Sequence, residues 1–134
     1  MTTFLLDTNV CVEYLRRRND KVIQRIQNLR PVEMRLCLVV VGELYYGAWK
    51  SPQPQANLSL LARFLPTFHC LPFDEDAAAI YGRLRVDLET SGRMIGPNDT
   101  MIAAIALAND ATLVTHNVTE FNRVPNLKIE DWQS

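Results

Sequence analysis

Five oxygen-bearing side chains, Asp7, Glu43, Asp99, Asn117 and Glu120, lie in four separate segments of this 134-residue chain, each beside the end of an apolar run or the start of a helical one. Carboxylates gathered at close range repel one another and do not all stay ionised without a counter-cation. The set contains no His and no Cys. Ligation by oxygen alone suits magnesium, with manganese able to replace it, because these hard ions keep several waters and take only one or two direct carboxylates. Such an ion positions a water for in-line attack on a phosphodiester and steadies the charge on the leaving oxygen. The chemistry implied is metal-dependent phosphodiester hydrolysis.

Whether these acids meet depends on the elements that carry them. Phe4-Leu5-Leu6 is apolar without alternation, as in a strand covered on both faces, and Asp7-Thr8-Asn9 then offers helix-capping residues. A second helix carries Val22, Ile23, Ile26 and Leu29 up to Pro31, and Leu36-Cys37-Leu38 reads as another buried strand. Val40, Leu44 and Gly47 share one side of the next helix, to about Trp49, with Glu43 on the same side. Leu58, Leu61, Ala62 and Leu65 face inward on a further helix ending at Pro66, and Phe68 to Leu71 makes a short strand. Asp74 to Thr90 has helical spacing closed by Gly92. A helix from Thr100 to about Ala108 follows, with Asn98 as its cap and Asp99 in or beside its first turn. Ala111 to Thr115 is a strand, His116 to Asn126 a loop with one helical turn, and Leu127 to Ile129 an edge strand. Short unalternated strands between helices predict a parallel sheet with helices on both faces. In such a sheet, ligands bind beyond the carboxyl ends of the strands, where these acids fall.

Composition excludes several other classes. With 48% hydrophobic residues and a net charge of -1, the chain can bury a core without disulfides and does not coat nucleic acid by bulk charge. Cys11, Cys37 and Cys70 are odd in number, far apart and set among apolar neighbours, which predicts reduced thiols. The longest apolar run, Leu36 to Val41, is too short to span a membrane, and the start lacks a basic signal-peptide region; both predict a cytoplasmic protein.

Each acid also has a plainer reading. Asp7 could only cap a helix, and Asp99 could only complement a helix dipole. Asn117 and Glu120 alone are ordinary loop residues. Glu43 fits such a reading least, because a carboxylate within an apolar stripe is costly unless something pairs with it. Arg16-Arg17-Arg18 reads as a solvated helix end or, with Lys21, Arg25, Arg30, Arg93 and Arg123, as a positive rim for phosphates. Tyr45, Tyr46 and Trp49 read as core packing or as a dimer or partner surface.

Leu5-Leu6-Asp7-Thr8-Asn9, Val41-Gly42-Glu43-Leu44-Tyr45-Tyr46-Gly47-Ala48, Gly92 to Asp99 with Ile102-Ala103-Ala104, and Val114-Thr115-His116-Asn117 through Glu120-Phe121 together resemble the motifs of PIN-domain ribonucleases. The ending, Arg123-Val124-Pro125 through Glu130-Asp131-Trp132, resembles the VapC toxins of bacterial toxin-antitoxin modules. The resemblance implies one PIN domain over residues 1–134, an α/β fold built as a three-layer α/β/α sandwich around a short, mostly parallel sheet. It implies an acidic core of Asp7, Glu43 and Asp99, with Asp7 and Asp99 as direct Mg2+ ligands and Glu43 orienting a water or a second ion. Many PIN domains have a fourth acid where this chain has Asn117, so that role falls to the Asn117 carbonyl or to Glu120. Thr8, Asn9 and Thr115 would position the acids or a phosphate.

The same resemblance implies an endoribonuclease that stops translation, with tRNA, and initiator tRNA in particular, as substrate. It further implies a homodimer neutralised by a VapB antitoxin, whose C-terminal segment would lie in the toxin's groove, and a complex that binds operator DNA through the antitoxin. Two rivals fare worse on the sequence. A phosphatase of the haloacid dehalogenase type needs a second Asp at position 9, which is Asn, and a receiver-like domain needs a central phosphoacceptor Asp and a later strand-end Lys that are not evident.

Overall fold

The computed structural model describes residues 1–134. Five strands, β1 (Phe4–Leu6), β2 (Met34–Cys37), β3 (His69–Leu71), β4 (Thr112–Val114) and β5 (Ile129–Glu130), form one wholly parallel sheet in the order β3-β2-β1-β4-β5. Helices make every crossover. α1 (Thr8–Leu15) and α2 (Asp20–Asn28) join β1 to β2, and α3 (Leu38–Lys50) and α4 (Pro54–Phe64) join β2 to β3. α5 (Glu75–Thr90) and α6 (Pro97–Ala108) join β3 to β4, and the short α7 (Val118–Phe121) precedes β5.

The lack of alternation in β1 and β4 has the expected cause: Leu5, Leu6, Leu113 and Val114 are wholly inaccessible. Each such side chain contributes roughly 1.5–3 kcal/mol by leaving water. α3 supplies Val40, Leu44 and Ala48 to this core, α6 supplies Ile102 and Ile105, and α7 supplies Phe121. The chain lays β2 and β3 to one side of β1, then returns to place β4 and β5 on the other. That reversal falls between β1 and β4, and at such a point open parallel sheets hold ligands in a crevice at the carboxyl ends of the strands.

Several local expectations needed correction. α6 begins at Pro97 with Gly96 as its cap, so Asn98 lies in the first turn and does not cap the helix. Proline suits that first position because its missing N–H would go unused there. Leu38 opens α3 and is 54% exposed, and so does not belong to a buried strand. Ala62 faces solvent and Phe64 fills the core place expected of it, while the edge strand lies at Ile129–Glu130, displaced from Leu127. Tyr45, Tyr46 and Trp49 are all exposed, at 42%, 66% and 61%, which removes the core-packing reading. Cys11 and Cys37 are buried and Cys70 half-buried, all unpaired. No helix is long and apolar enough to cross a membrane.

Candidate active site

Asp7 stands directly after β1 and is nearly inaccessible, at 7%. It is the N-cap of α1, yet its Oδ1 accepts only the N–H of Thr8, at 2.8 Å, whereas a dedicated cap serves the second or third helical residue. Its Oδ2 accepts the hydroxyl of Thr115, at 2.8 Å, from the segment after β4. Thr115 is wholly buried, and the same hydroxyl oxygen accepts the N–H of Asn117, at 3.0 Å. One threonine therefore fixes the carboxylate after β1 to the chain leaving β4, the two strands that flank the crevice. Burial pushes the Asp7 carboxyl above its ordinary range and the Glu43 charge adds to this, against the hydrogen bonds from Thr115 and Thr8.

Glu43 enters from α3. Its Oε1 accepts the Thr8 hydroxyl at 2.5 Å, and its Oε2 accepts the Asn98 side-chain amide at 3.4 Å. Thr8 thus serves both carboxylates, Asp7 through its backbone N–H and Glu43 through its side chain. Asp99 completes the group from the first turn of α6. Its carboxyl is pushed up to about 6, first by burial and then by the charges of Asp7, Glu43 and Glu120. No group in the protein donates a hydrogen bond to it, and no Lys, Arg or His pairs with Asp7, Glu43, Asp99 or Glu120.

Glu120, in α7, joins the group through its charge on Asp99. Asn117 joins through its backbone bond to Thr115, and its side chain caps nothing. By type Asn98 reads as a helix cap, but its side chain donates to Glu43 across 55 positions, a contact for which the sequence carries no local signal. The basic cluster is spread out. Arg18 pairs with Glu13, Arg17 lies over the Tyr14 ring, and Arg16 lines a cavity of about 180 Å³ between α1, α3 and α4. The cavity wall is formed largely by Val12, Leu15, Leu44, Leu60 and Leu61, with Thr8 and Glu43 also on it.

No group of three or more Asp, Glu, His or Cys side chains is placed to hold a metal ion by itself, so a hard ion here would take few side chains directly and keep most of its water. The decisive fit is Asp99, a half-buried carboxylate without a donor, among three like charges and no basic side chain. A divalent cation would relieve that repulsion, and each Asp7 oxygen keeps acceptor capacity beyond its one protein hydrogen bond.

The family described as the PIN domain matches residues 4–127. The chain is 38% identical to ribonuclease VapC2 of Rickettsia felis over 130 residues, covering 96% of this chain and 97% of that protein. It is 36% identical to the tRNA(fMet)-specific endonuclease VapC of Salmonella typhimurium over 132 residues, covering 98% and 99%. Among solved structures, DNA-bound VapBC from Salmonella typhimurium superposes with a TM-score of 0.92 at 36% identity, over 98% of this chain and 99% of that one. VapBC2 from Rickettsia felis, bound to a DNA fragment from its promoter, gives 0.90 at 37% identity, with the same coverage.

Proposed function

The chain belongs to the PIN-domain family, in its VapC branch, and from that premise we propose that it is a Mg2+-dependent endoribonuclease, the toxin of a toxin-antitoxin module. The observation that carries this reading is the set of unneutralised acids around Asp99. We read residues 1–134 as one PIN domain acting in the cytoplasm. Asp7 and Asp99 would hold the ion directly, and Glu43, kept in place by Thr8 and Asn98, would orient the attacking water. Bound Mg2+ supplies Lewis-acid stabilisation of charge on the phosphodiester, and manganese can replace it. Thr115 keeps Asp7 facing the crevice, and Glu120 fills the fourth acidic position better than Asn117 does, because its charge is felt at Asp99.

RNA is the substrate class, and tRNA the specific proposal. Relatives from Salmonella typhimurium and Shigella flexneri, 36% and 39% identical, are named tRNA(fMet)-specific endonucleases, which supports the anticodon loop of initiator tRNA as the target. The partner is a VapB antitoxin, as the VapBC complexes among the relatives suggest, and operator DNA is bound through that antitoxin. The apolar cavity beside Thr8 and Glu43 is suited to the antitoxin's C-terminal segment, which would obstruct the acids. The exposed aromatic face of Tyr45, Tyr46 and Trp49 supports a homodimer.

The test is purified protein freed of antitoxin, incubated with a tRNA anticodon stem-loop. Cleavage that needs Mg2+ or Mn2+ and stops with chelator is expected. Undiminished cleavage in chelator overturns the mechanism. Mapping new RNA ends in cells soon after induction separates one cut in an anticodon loop from many cuts across messages.

A further inference from the structure

The basic residues that the sequence offers as a rim for phosphates are mostly engaged elsewhere in the fold. Arg18, Arg25 and Arg30 pair with Glu13, Glu130 and Glu33, and Arg17 lies over the Tyr14 ring. Arg16 borders the apolar cavity between α1, α3 and α4, and Lys21 a polar hollow between α2 and the chain end. Arg93 and Arg123 remain. Arg93 is exposed, and its side chain has no ion-pair partner. Arg123 is half-buried, meets no carboxylate, and donates from Nη1 to the Met94 carbonyl at 2.8 Å.

Both stand at the end of the sheet that carries the acids. α6 runs back along the sheet to feed β4, so its first turn, with Asp99, and the 91–96 loop ahead of it lie by the carboxyl ends of the strands. α7 leaves β4 at that same end with Glu120, and Arg123 follows it, its backbone N–H on the Glu120 carbonyl at 3.0 Å. The bond from Arg123 to Met94 therefore joins the segment that delivers Glu120 to the one that delivers Asp99, and Arg93 is the residue before that carbonyl. Met94 precedes Pro97 by at most about 10 Å of extended chain.

A guanidinium has five N–H donors in a rigid fork that matches a phosphate. The Met94 carbonyl occupies one of them and orients the side chain without cancelling its charge, as a carboxylate partner would. The acids beside it repel a polyanion wherever a metal ion does not intervene, so a strand that enters the crevice needs cations next to them. We propose that Arg123 and Arg93 form a phosphate-binding pair that holds the RNA backbone beside the scissile phosphate, on the α6 and α7 side of the crevice. The proposal rests on the endoribonuclease reading above and adds to it the side chains that grip the substrate.

The experiment measures kcat and KM for the initiator tRNA anticodon stem-loop with Mg2+ at about 50–200 mM salt. Arg123→Ala and Arg93→Ala should each raise KM about fivefold at intermediate salt, and each should lower the slope of log KM against log salt by about one, with kcat nearly unchanged. Arg123→Lys keeps the charge without the fork and should retain the slope. Arg93→Ala removes no ion pair, so it decides the matter if Arg123→Ala does not fold. A higher KM with an unaltered slope would overturn the proposal. So would a fall in kcat alone, the mark of a tie that only positions Asp99 and Glu120. Wild-type protein that does not cut the probe overturns both this proposal and the proposed function, whereas normal cutting with KM and slope unchanged in the variants overturns this proposal alone.

Discussion

The crevice and the β5 edge both carry several carboxylates, and the protein treats them in opposite ways. At the edge, Asp110 meets the Lys128 ammonium at 2.8 Å, Glu130 meets Arg25 at 3.1 Å and Asp131 meets His116 at 3.0 Å. Lys128 holds the Asp110 carboxyl below its ordinary range. In the crevice, burial drives Asp7 and Asp99 upward, and no basic side chain answers them. A chain selected only to fold would neutralise its buried acids before its exposed ones. The reversal is what a site that gives up stability for binding would show, and a bound cation would restore what was lost.

The largest effect expected is on catalysis. Asp7→Asn or Asp99→Asn should reduce RNA cleavage by about 10²–10³-fold, the scale for losing one preorganised electrostatic group in an active site. Far-ultraviolet circular dichroism should meanwhile stay native. Normal RNA cleavage by either variant would break the contrast. Thr115→Val comes next, because it removes the donor to Asp7 Oδ2 and the acceptor for Asn117. A loss of about 10–100-fold in cleavage is expected, as for partners that orient metal ligands, with about 1–2 kcal/mol of stability measured by denaturant titration.

Stability against pH sharpens the contrast further. The folded Asp99 carboxyl titrates at about 6 against an ordinary 3.8, so the folded chain holds that proton more tightly. Its contribution is fully present below about pH 4 and is lost as pH rises through about 6. Asp99→Asn should therefore stabilise the metal-free protein at neutral pH, on the order of 1 kcal/mol once the solvent screening of a half-buried group is allowed for. Thermal melts of both proteins at pH 5 and pH 7 check this, with the difference shrinking at pH 5. The smallest effect belongs to the edge: Asp110→Asn should leave cleavage and the thermal midpoint nearly unchanged, since asparagine also tolerates the left-handed backbone at φ 49°.

Legibility in the sequence followed how local each signal was. β1, β4 and the run of α5 were readable because burial on both faces and helical spacing are written in neighbouring residues. The start of α6 was misplaced because Asn98 is a good cap by type, while Pro97 at the first helical position was the better signal. The outward turn of Tyr45, Tyr46 and Trp49 had no local sign, since an aromatic reads the same on a core face and on an unpartnered one. Asp7, Glu43 and Asp99 stand out in the sequence through their strand-end and helix-start positions. What fixes them was less accessible: Thr115 reaches Asp7 across 108 positions and Asn98 reaches Glu43 across 55, and only the sheet order brings such pairs together.

The central claim is that an unmet negative charge in the crevice awaits a divalent ion. Calorimetric titration of Mn2+ into the antitoxin-free protein at pH 6, repeated in buffers of different ionisation enthalpy, counts the protons displaced by binding. With Asp99 half-protonated near that pH, binding should release roughly half a proton or more, and Asp99→Asn should abolish most of that release. Binding without proton release, or no binding at all, would contradict the account.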